Sequence, residues 1–235
     1  MQFEQKLTSA VLVKRYKRFL ADVVLDDGSL LTVHCANTGA MTGCAIAGSK
    51  VWLSKSDNLK RKYAYSWELV ELEHNSGFIA VNTARANQVV ESALLNKKIK
   101  ELAEYDSFKR EVKYGDSSRV DFFLNGVDLP DVYLEVKSVT LYKQEGLGAF
   151  PDAVTLRGQK HLKELLAVRK SGMRAVLLFC VLHSQIKEVS VADDIDSVYG
   201  QLLREVIEQG VEVYCYSVDI SITKLELGEK LILKI

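Results

Sequence analysis

The stretch Arg119–Lys137, RVDFFLNGVDLPDVYLEVK, restricts the fold of this chain more than any other. Arg119, Asp121 and Phe123 alternate with Val120, Phe122 and Leu124, and Asn125-Gly126 then supplies a turn signal. Beyond Pro130-Asp131, Tyr133, Glu135 and Lys137 alternate with Leu134, Val136 and Ser138. Strand side chains repeat every two residues, so Glu135 and Lys137 share one face and Asp121 falls on the matching face of the neighbouring strand. The opposite face is almost entirely apolar and reads as core. Two carboxylates and a lysine on such strands are costly unless a metal or a substrate engages them. Charges on an edge strand facing solvent are the other way to read the same pattern.

The flanking chain favours the first reading. Ala84–Leu102 has helical spacing at Ala86, Val89, Val90, Ala93 and Leu94. Phe108–Tyr114, Arg119–Leu124 and Val132–Thr140 read as three strands, and Thr155–Lys170 reads as a second helix stopped at Gly172. Ala175–Leu182 is an apolar run of the kind buried on both faces of a sheet. Asp196 suits the cap of a third helix, followed by a buried strand at Val211–Val218 and short strands at Ile220–Leu225 and Leu231–Ile235. This order is αβββαβ. Together with Asp121, thirteen intervening residues and Glu135-Val136-Lys137, it resembles the D…(D/E)xK constellation of the restriction-endonuclease-like nucleases. The resemblance implies a site of Asp121, Glu135 and Lys137, with Glu91 on the preceding helix as a further acid and Gln159 and Lys160 on the following helix as polar contacts. For Glu91, Gln159 and Lys160 a solvated helix face is the competing explanation.

Residues 1–82 carry a different pattern. Runs at Ala10–Leu20, Ala21–Leu25, Leu30–His34, Lys50–Ser54, Ala64–Leu72 and Phe78–Val81 are separated by turns such as Asp26-Asp27-Gly28-Ser29 and Asn75-Ser76-Gly77. Many short strands with little helical signal suggest a small barrel, of which the oligonucleotide/oligosaccharide-binding (OB) fold is the natural candidate. Two clusters in this region interleave bases with aromatics. They are Lys14-Arg15-Tyr16-Lys17-Arg18, expected on the first strand, and Lys60-Arg61-Lys62-Tyr63-Ala64-Tyr65. Cations meet phosphates and rings stack on bases, so both clusters suit nucleic-acid binding, although alternate bases also solvate the outside of a barrel. The loop Cys35–Met41 reads as a tight turn held by Asn37 and Thr38.

Charge limits the partners. With 31 basic and 31 acidic residues the chain has no bulk attraction to nucleic acid, so any such footprint is local. No window approaches a membrane-spanning apolar run, and the N-terminus has the wrong order of charge and apolar residues for a signal peptide. Cys35, Cys44, Cys180 and Cys215 form no CxxC pair and read as buried thiols in a reducing, cytoplasmic compartment. His34, Cys35, Cys44 and His74 have the residue types of a zinc site but no common zinc spacing.

Several local strings then jointly resemble one family. They are Ala36–Met41 (ANTGAM), Trp67–Val70 (WELV), Asn82-Thr83, Ala86-Asn87, Val90-Glu91, Arg119–Phe122, Tyr133–Thr140, Phe150–Thr155 (FPDAVT), Arg157–Leu162 (RGQKHL) and Gly210–Val213. In this order and over nearly the whole chain they are similar to the sugar fermentation stimulation proteins. Cys35 stands where that family usually has proline, and Ser190–Ser197 departs from its pattern. The resemblance implies a mixed α/β (α+β) chain with an OB barrel over residues 1–82 and a restriction-endonuclease-like αβββαβ domain with a mixed sheet over 83–235. It also implies a cytoplasmic, largely sequence-non-specific DNA-binding protein that regulates sugar (maltose) metabolism.

Three functional readings follow. In the first, Asp121 and Glu135, with the Val136 carbonyl and help from Glu91, hold Mg²⁺ or Mn²⁺ for phosphodiester hydrolysis, while Lys137 orients water or meets developing charge. In the second, Lys14, Arg15, Tyr16, Lys17, Arg18, Arg61, Lys62, Tyr63, Tyr65, Arg119, Gln159 and Lys160 grip the DNA backbone without turnover. The absence of any base-reading motif fits that reading. In the third, the barrel binds carbohydrate. DNA binding is the expected function, nuclease turnover the alternative, and the oligomeric state stays open.

Overall fold

The computed structural model describes residues 1–114 and 118–235. The N-terminal strands are β1 (Thr8–Tyr16), β2 (Leu20–Leu25), β3 (Leu30–His34), β4 (Lys50–Lys55), β5 (Tyr65–Glu71) and β6 (Phe78–Ala80). Their order is β3-β2-β1-β4-β5-β6, and a parallel bridge between His34 and Ser66 joins β3 to β5. Five strands therefore close on themselves as an OB-like barrel, which leaves little open edge. Alternation fills it: Ala10, Leu12, Ala21, Val23, Val33, Val51, Leu53 and Trp67 point inward and are buried. Cys35 and Cys44 belong to this core, with the Cys35 thiol facing the Met41 sulfur, rather than to a metal cage. The first strand ends earlier than its residues suggest. Lys17 and Arg18 take positive φ (49° and 62°) and form the turn into β2 instead of extending β1.

Among the described residues, the rest of the chain builds a mixed sheet of nine strands. Its elements are α1 (Ala84–Leu95), β7 (Ser107–Tyr114), β8 (Ser118–Gly126), β9 (Leu129–Val139), β10 (Leu141–Gln144), β11 (Leu147–Phe150), α2 (Leu156–Lys170), β12 (Arg174–Val181), β13 (Glu188–Val191), α3 (Ser197–Glu208), β14 (Glu212–Ile220) and β15 (Leu225–Lys234). The strand order is β10-β11-β13-β15-β14-β12-β9-β8-β7. β12 runs parallel to both β9 and β14, whereas β7–β8, β8–β9 and β14–β15 are antiparallel. One face of the sheet packs Leu134, Val136, Leu178 and Tyr216 against α1; the other packs Leu177, Phe179 and Cys215 against Leu162, Leu165, Leu203 and Val206 of α2 and α3. That is why Arg174–Val181 is apolar at every position but its first.

Three further local readings change, and three short strands went unread. The β8–β9 turn falls at Val127-Asp128, where Asp128 takes the positive φ (57°), and Asn125-Gly126 stays in the strand. The first helix stops at Leu95, and Lys100–Leu102 is a separate 3-10 turn. β10, β11 and β13, each of four residues, lack enough length to announce an alternation. Finally, Leu225–Lys234 is one strand where two short ones were expected.

Barrel and sheet meet through backbone. The Ala80 amide donates to the Leu182 carbonyl and the Ser184 amide to the Phe78 carbonyl, so β6 is stitched to the chain leaving β12. A buried ion pair lies beside this seam. Glu68 on β5, 1% exposed, receives both Nε and Nη2 of Arg85 at 2.9 and 2.7 Å, together with Ser54 Oγ and Asn82 Nδ2. Bidentate geometry and two further donors satisfy a carboxylate that would be costly here alone. Among the described residues no helix is long and apolar enough to cross a membrane.

Candidate metal centre

The antiparallel ladder between β8 and β9 stops at Phe122 opposite Leu134, one residue short of Asp121 and Glu135. Beyond that point side chains replace ladder bonds. Asp121 Oδ2 accepts the Val136 amide at 2.7 Å, and Oδ1 accepts Asn87 Nδ2 at 2.7 Å from the first turns of α1. Glu135 is 3% exposed, and its Oε1 gathers two donors: Lys137 Nζ at 2.6 Å and His161 Nδ1 of α2. Lys137 Nζ also lies 3.1 Å from His161 Nδ1. Among the described residues Glu135 Oε2 is buried and has no hydrogen-bond partner.

The electrostatics follow from this packing. Burial first, and then the Glu135 charge, push the Asp121 carboxyl up to about 6, against the lowering effect of its two donors. Burial also works to raise Glu135, but the hydrogen bond from His161 and the Lys137 charge outweigh it and hold that carboxyl below its ordinary value. Tyr114 and Tyr199 stand close by with buried hydroxyls; burial and the negative charge of Glu135 raise both phenols. Glu164, one turn beyond His161, accepts Ser118 Oγ at 2.6 Å.

The residues expected at the site separate into two groups. Asp121, Glu135, Val136 and Lys137 come together. Glu91 does not join them: its carboxylate is tied to Arg110 of β7 at 2.8 Å, and Asn87, one turn earlier on the same face, is the residue of α1 that reaches Asp121. Gln159 turns toward α3, donating to both oxygens of Asp196, which caps that helix at the Tyr199 amide. Lys160 lies 3.6 Å from Glu164, and Arg119 is exposed on β8. Asn87, Arg157, His161 and Glu164 had no role assigned from the sequence; the signal available was the four-residue spacing of Arg157 and His161 along one helix face.

Several of the barrel's bases and aromatics are internally engaged. Arg15 donates to the carbonyls of Arg18, Asn37 and Gly39 and so holds the Asn37 turn, whose own side chain bonds the Val81 carbonyl and the Gly39 amide. Lys14 lies 3.8 Å from Asp22, and the Tyr16 hydroxyl donates to the same carboxylate. Arg61 donates to Ser66 Oγ, while Lys62 lies over the Tyr63 ring and Lys55 over Tyr65. Lys17 and Arg18 stand exposed at the hairpin tip beside Phe19, which is 47% exposed. Gly39 is fixed by space: a Cβ there would sit 2.3 Å from Asp152 Oδ2 of the sheet domain.

Comparison with known proteins agrees with this architecture. A family model described as the SfsA N-terminal OB domain matches residues 13–81, and one described as the sugar fermentation stimulation protein RE domain matches residues 84–224. The sugar fermentation stimulation protein homolog of Aliivibrio salmonicida is 56% identical over 98% of both chains; that of Pasteurella multocida is 58% identical over 90% of this chain and 88% of its own. Among solved structures, Pyrococcus furiosus SfsA in complex with Ca²⁺ superposes with a TM-score of 0.90 at 22% identity, covering 100% of this chain and 98% of that one, and so shares the fold. The chain belongs to the sugar fermentation stimulation protein family.

Proposed function

We propose that this protein binds DNA through its backbone, with little sequence preference, and presents to it a divalent-cation site of nuclease type. The observation that carries the reading is Glu135 Oε2, a buried carboxylate oxygen without a partner among the described residues, next to an Asp121 whose ionised form that same carboxylate opposes. Buried polar atoms are nearly always satisfied, so an orphan beside a second carboxylate marks a place for a cation. Asp121 and Glu135 would hold it. Among the described residues no three His, Cys, Asp or Glu side chains gather into a ready cage. That suits Mg²⁺ or Mn²⁺, because Mg²⁺ commonly takes one or two carboxylates and fills its shell with water and phosphate oxygens. The Ca²⁺ in the Pyrococcus furiosus structure, another oxygen-seeking ion, supports the same assignment.

When bound, such an ion polarises a phosphoryl oxygen and makes a bound water more acidic. The protein's own groups do the rest. Asn87 and the Val136 amide fix the Asp121 carboxylate, and packing against α2 keeps bulk water from Glu135. Lys137, anchored on Glu135, turns its remaining ammonium protons toward negative charge developing on the phosphate. The exposed tip Lys17-Arg18 and the exposed bases Lys60, Arg61 and Lys62 supply backbone contacts. A role in sugar (maltose) metabolism would act through this binding.

The test combines a salt titration of DNA affinity with cleavage assays in Mg²⁺ and Mn²⁺ on single- and double-stranded substrates. Affinity is expected to fall steeply with salt; salt-independent affinity removes the backbone contacts. Cleavage by the wild type that disappears in Asp121→Ala and Glu135→Ala supports turnover, whereas no cleavage leaves DNA binding alone. Binding of maltodextrins without DNA would transfer the assignment to carbohydrate.

A further inference from the structure

Glu135 is held asymmetrically. Among the described residues its two hydrogen-bond donors, Lys137 Nζ and His161 Nδ1, both point at Oε1, and Oε2 has none. An ionised carboxylate has about four lone-pair sites over two oxygens, so this crowding is not forced by any shortage of acceptors. His161 is itself built in. It is 4% exposed, lies on the face of α2 turned to the sheet, and receives Arg157 Nε on its far nitrogen Nε2 at 3.3 Å. A guanidinium only donates, so Nε2 accepts and the imidazole proton sits on Nδ1, aimed at Glu135. The chain Arg157–His161–Glu135 therefore has one direction of donation from end to end.

We infer that His161, oriented by Arg157, is a positioning residue that ties down Oε1 of Glu135 and leaves Oε2 as the oxygen offered to a cation. This rests on the cation site proposed above and adds to it the residues that fix its geometry. Metal-binding sites rely on such outer partners: a ligand whose spare atoms are hydrogen-bonded keeps its orientation without reorganising when the ion arrives. Here the ligand is the carboxylate and the imidazole is the outer partner, with no proton passed. Arg157 is exposed at the surface, so its contribution can be removed without opening the core.

The experiment is calorimetric titration of the intact protein with Mn²⁺, free of nucleic acid, with thermal unfolding of each variant alongside. His161→Ala is expected to weaken Mn²⁺ binding by about 10- to 100-fold, the usual cost of removing an outer partner. His161→Asn, whose amide donates from nearly the position of Nδ1, is expected to recover most of that affinity. Arg157→Ala is expected to weaken binding a few-fold when His161 is present and to have no effect in the His161→Ala background. Mn²⁺ affinity within twofold of wild type in His161→Ala overturns the inference. So does an equal fall in His161→Ala and His161→Asn, which would mark disturbed packing instead of a missing donor. Wild type that binds no Mn²⁺, or binds it as well after Glu135→Gln, overturns the cation site and this inference with it. Cation binding abolished in Glu135→Gln but untouched in His161→Ala overturns the inference alone.

Discussion

The barrel and the sheet place their charged residues differently. In the barrel, side chains that look free to grip a ligand are drawn to their own neighbours: Arg15 donates through Nη2 to three backbone carbonyls while its Nε is buried with no partner among the described residues, and Lys14 and Tyr16 meet Asp22. In the sheet domain it is carboxylate oxygens, Glu135 Oε2 and Glu164 Oε2, that are buried with no hydrogen-bond partner among the described residues. A cluster of bases in a sequence therefore measures surface charge, not availability. A buried carboxylate left incomplete says more about function, because the fold bears a desolvation cost to keep it so.

The largest effect expected from this contrast lies in the sheet. Asp121→Ala should lower any Mn²⁺-dependent cleavage by about three orders of magnitude, the scale of several kcal/mol of charge stabilisation, while DNA affinity stays within about twofold. Equal reductions in affinity and cleavage would show that the site is mainly a binding surface and blunt the contrast.

The seam between the two regions should respond to acid. His183, 5% exposed, stacks on Tyr142 with ring centroids 5.2 Å apart and accepts the Gln185 amide on Nδ1; burial pushes its pKa down to about 4. With the folded value below the ordinary 6.5, the unfolded chain binds the proton more readily, so stability falls as the pH drops from about 6.5 toward about 4 and then levels off. The decrease attributable to this residue is about 3 kcal/mol and should be absent from denaturant titrations of His183→Gln across that range. An unchanged pH profile in the variant would separate the seam from this histidine.

Within the barrel, Arg15→Ala should cost about 2 kcal/mol in chemical denaturation through the removal of its bonds to carbonyls, and leave the salt dependence of DNA binding unchanged. The smallest effect belongs to the tip. Lys17→Ala with Arg18→Ala should alter stability by less than about 0.5 kcal/mol, yet reduce the slope of log affinity against log salt by about 0.9 for each phosphate no longer neutralised. If Arg15 lowers the slope and the tip does not, the division between structural and available bases is reversed.

The fold was legible where residues repeat with a clear period. The inward alternation of the barrel strands, the uniformly apolar Ala175–Val181 and the Asp196 cap all follow from local chemistry that the structure reproduces. Asp121, Glu135 and Lys137 were legible because period two puts them on one face. Glu91 and Asn87 share a helix face as well, so spacing alone could not tell which would reach Asp121; the choice depends on Arg110, a residue on a different strand. His161 stayed unread for the same reason. Its partner is 26 positions away, and nothing in Arg157–Leu162 states that the helix lies over Glu135. Short strands such as β10, β11 and β13 owe their shape to the sheet they join, not to their four residues.

The Glu68–Arg85 pair has a structural consequence. Arg85 is the second residue of α1, and Asn87, two residues further on, holds Asp121. The helix is thus clamped at its start by a carboxylate from the barrel wall and touches the acidic site within its next turn. Barrel wall and acidic site are thus joined through less than one turn of helix. At its far end stands one of the two donors that set the position of Asp121.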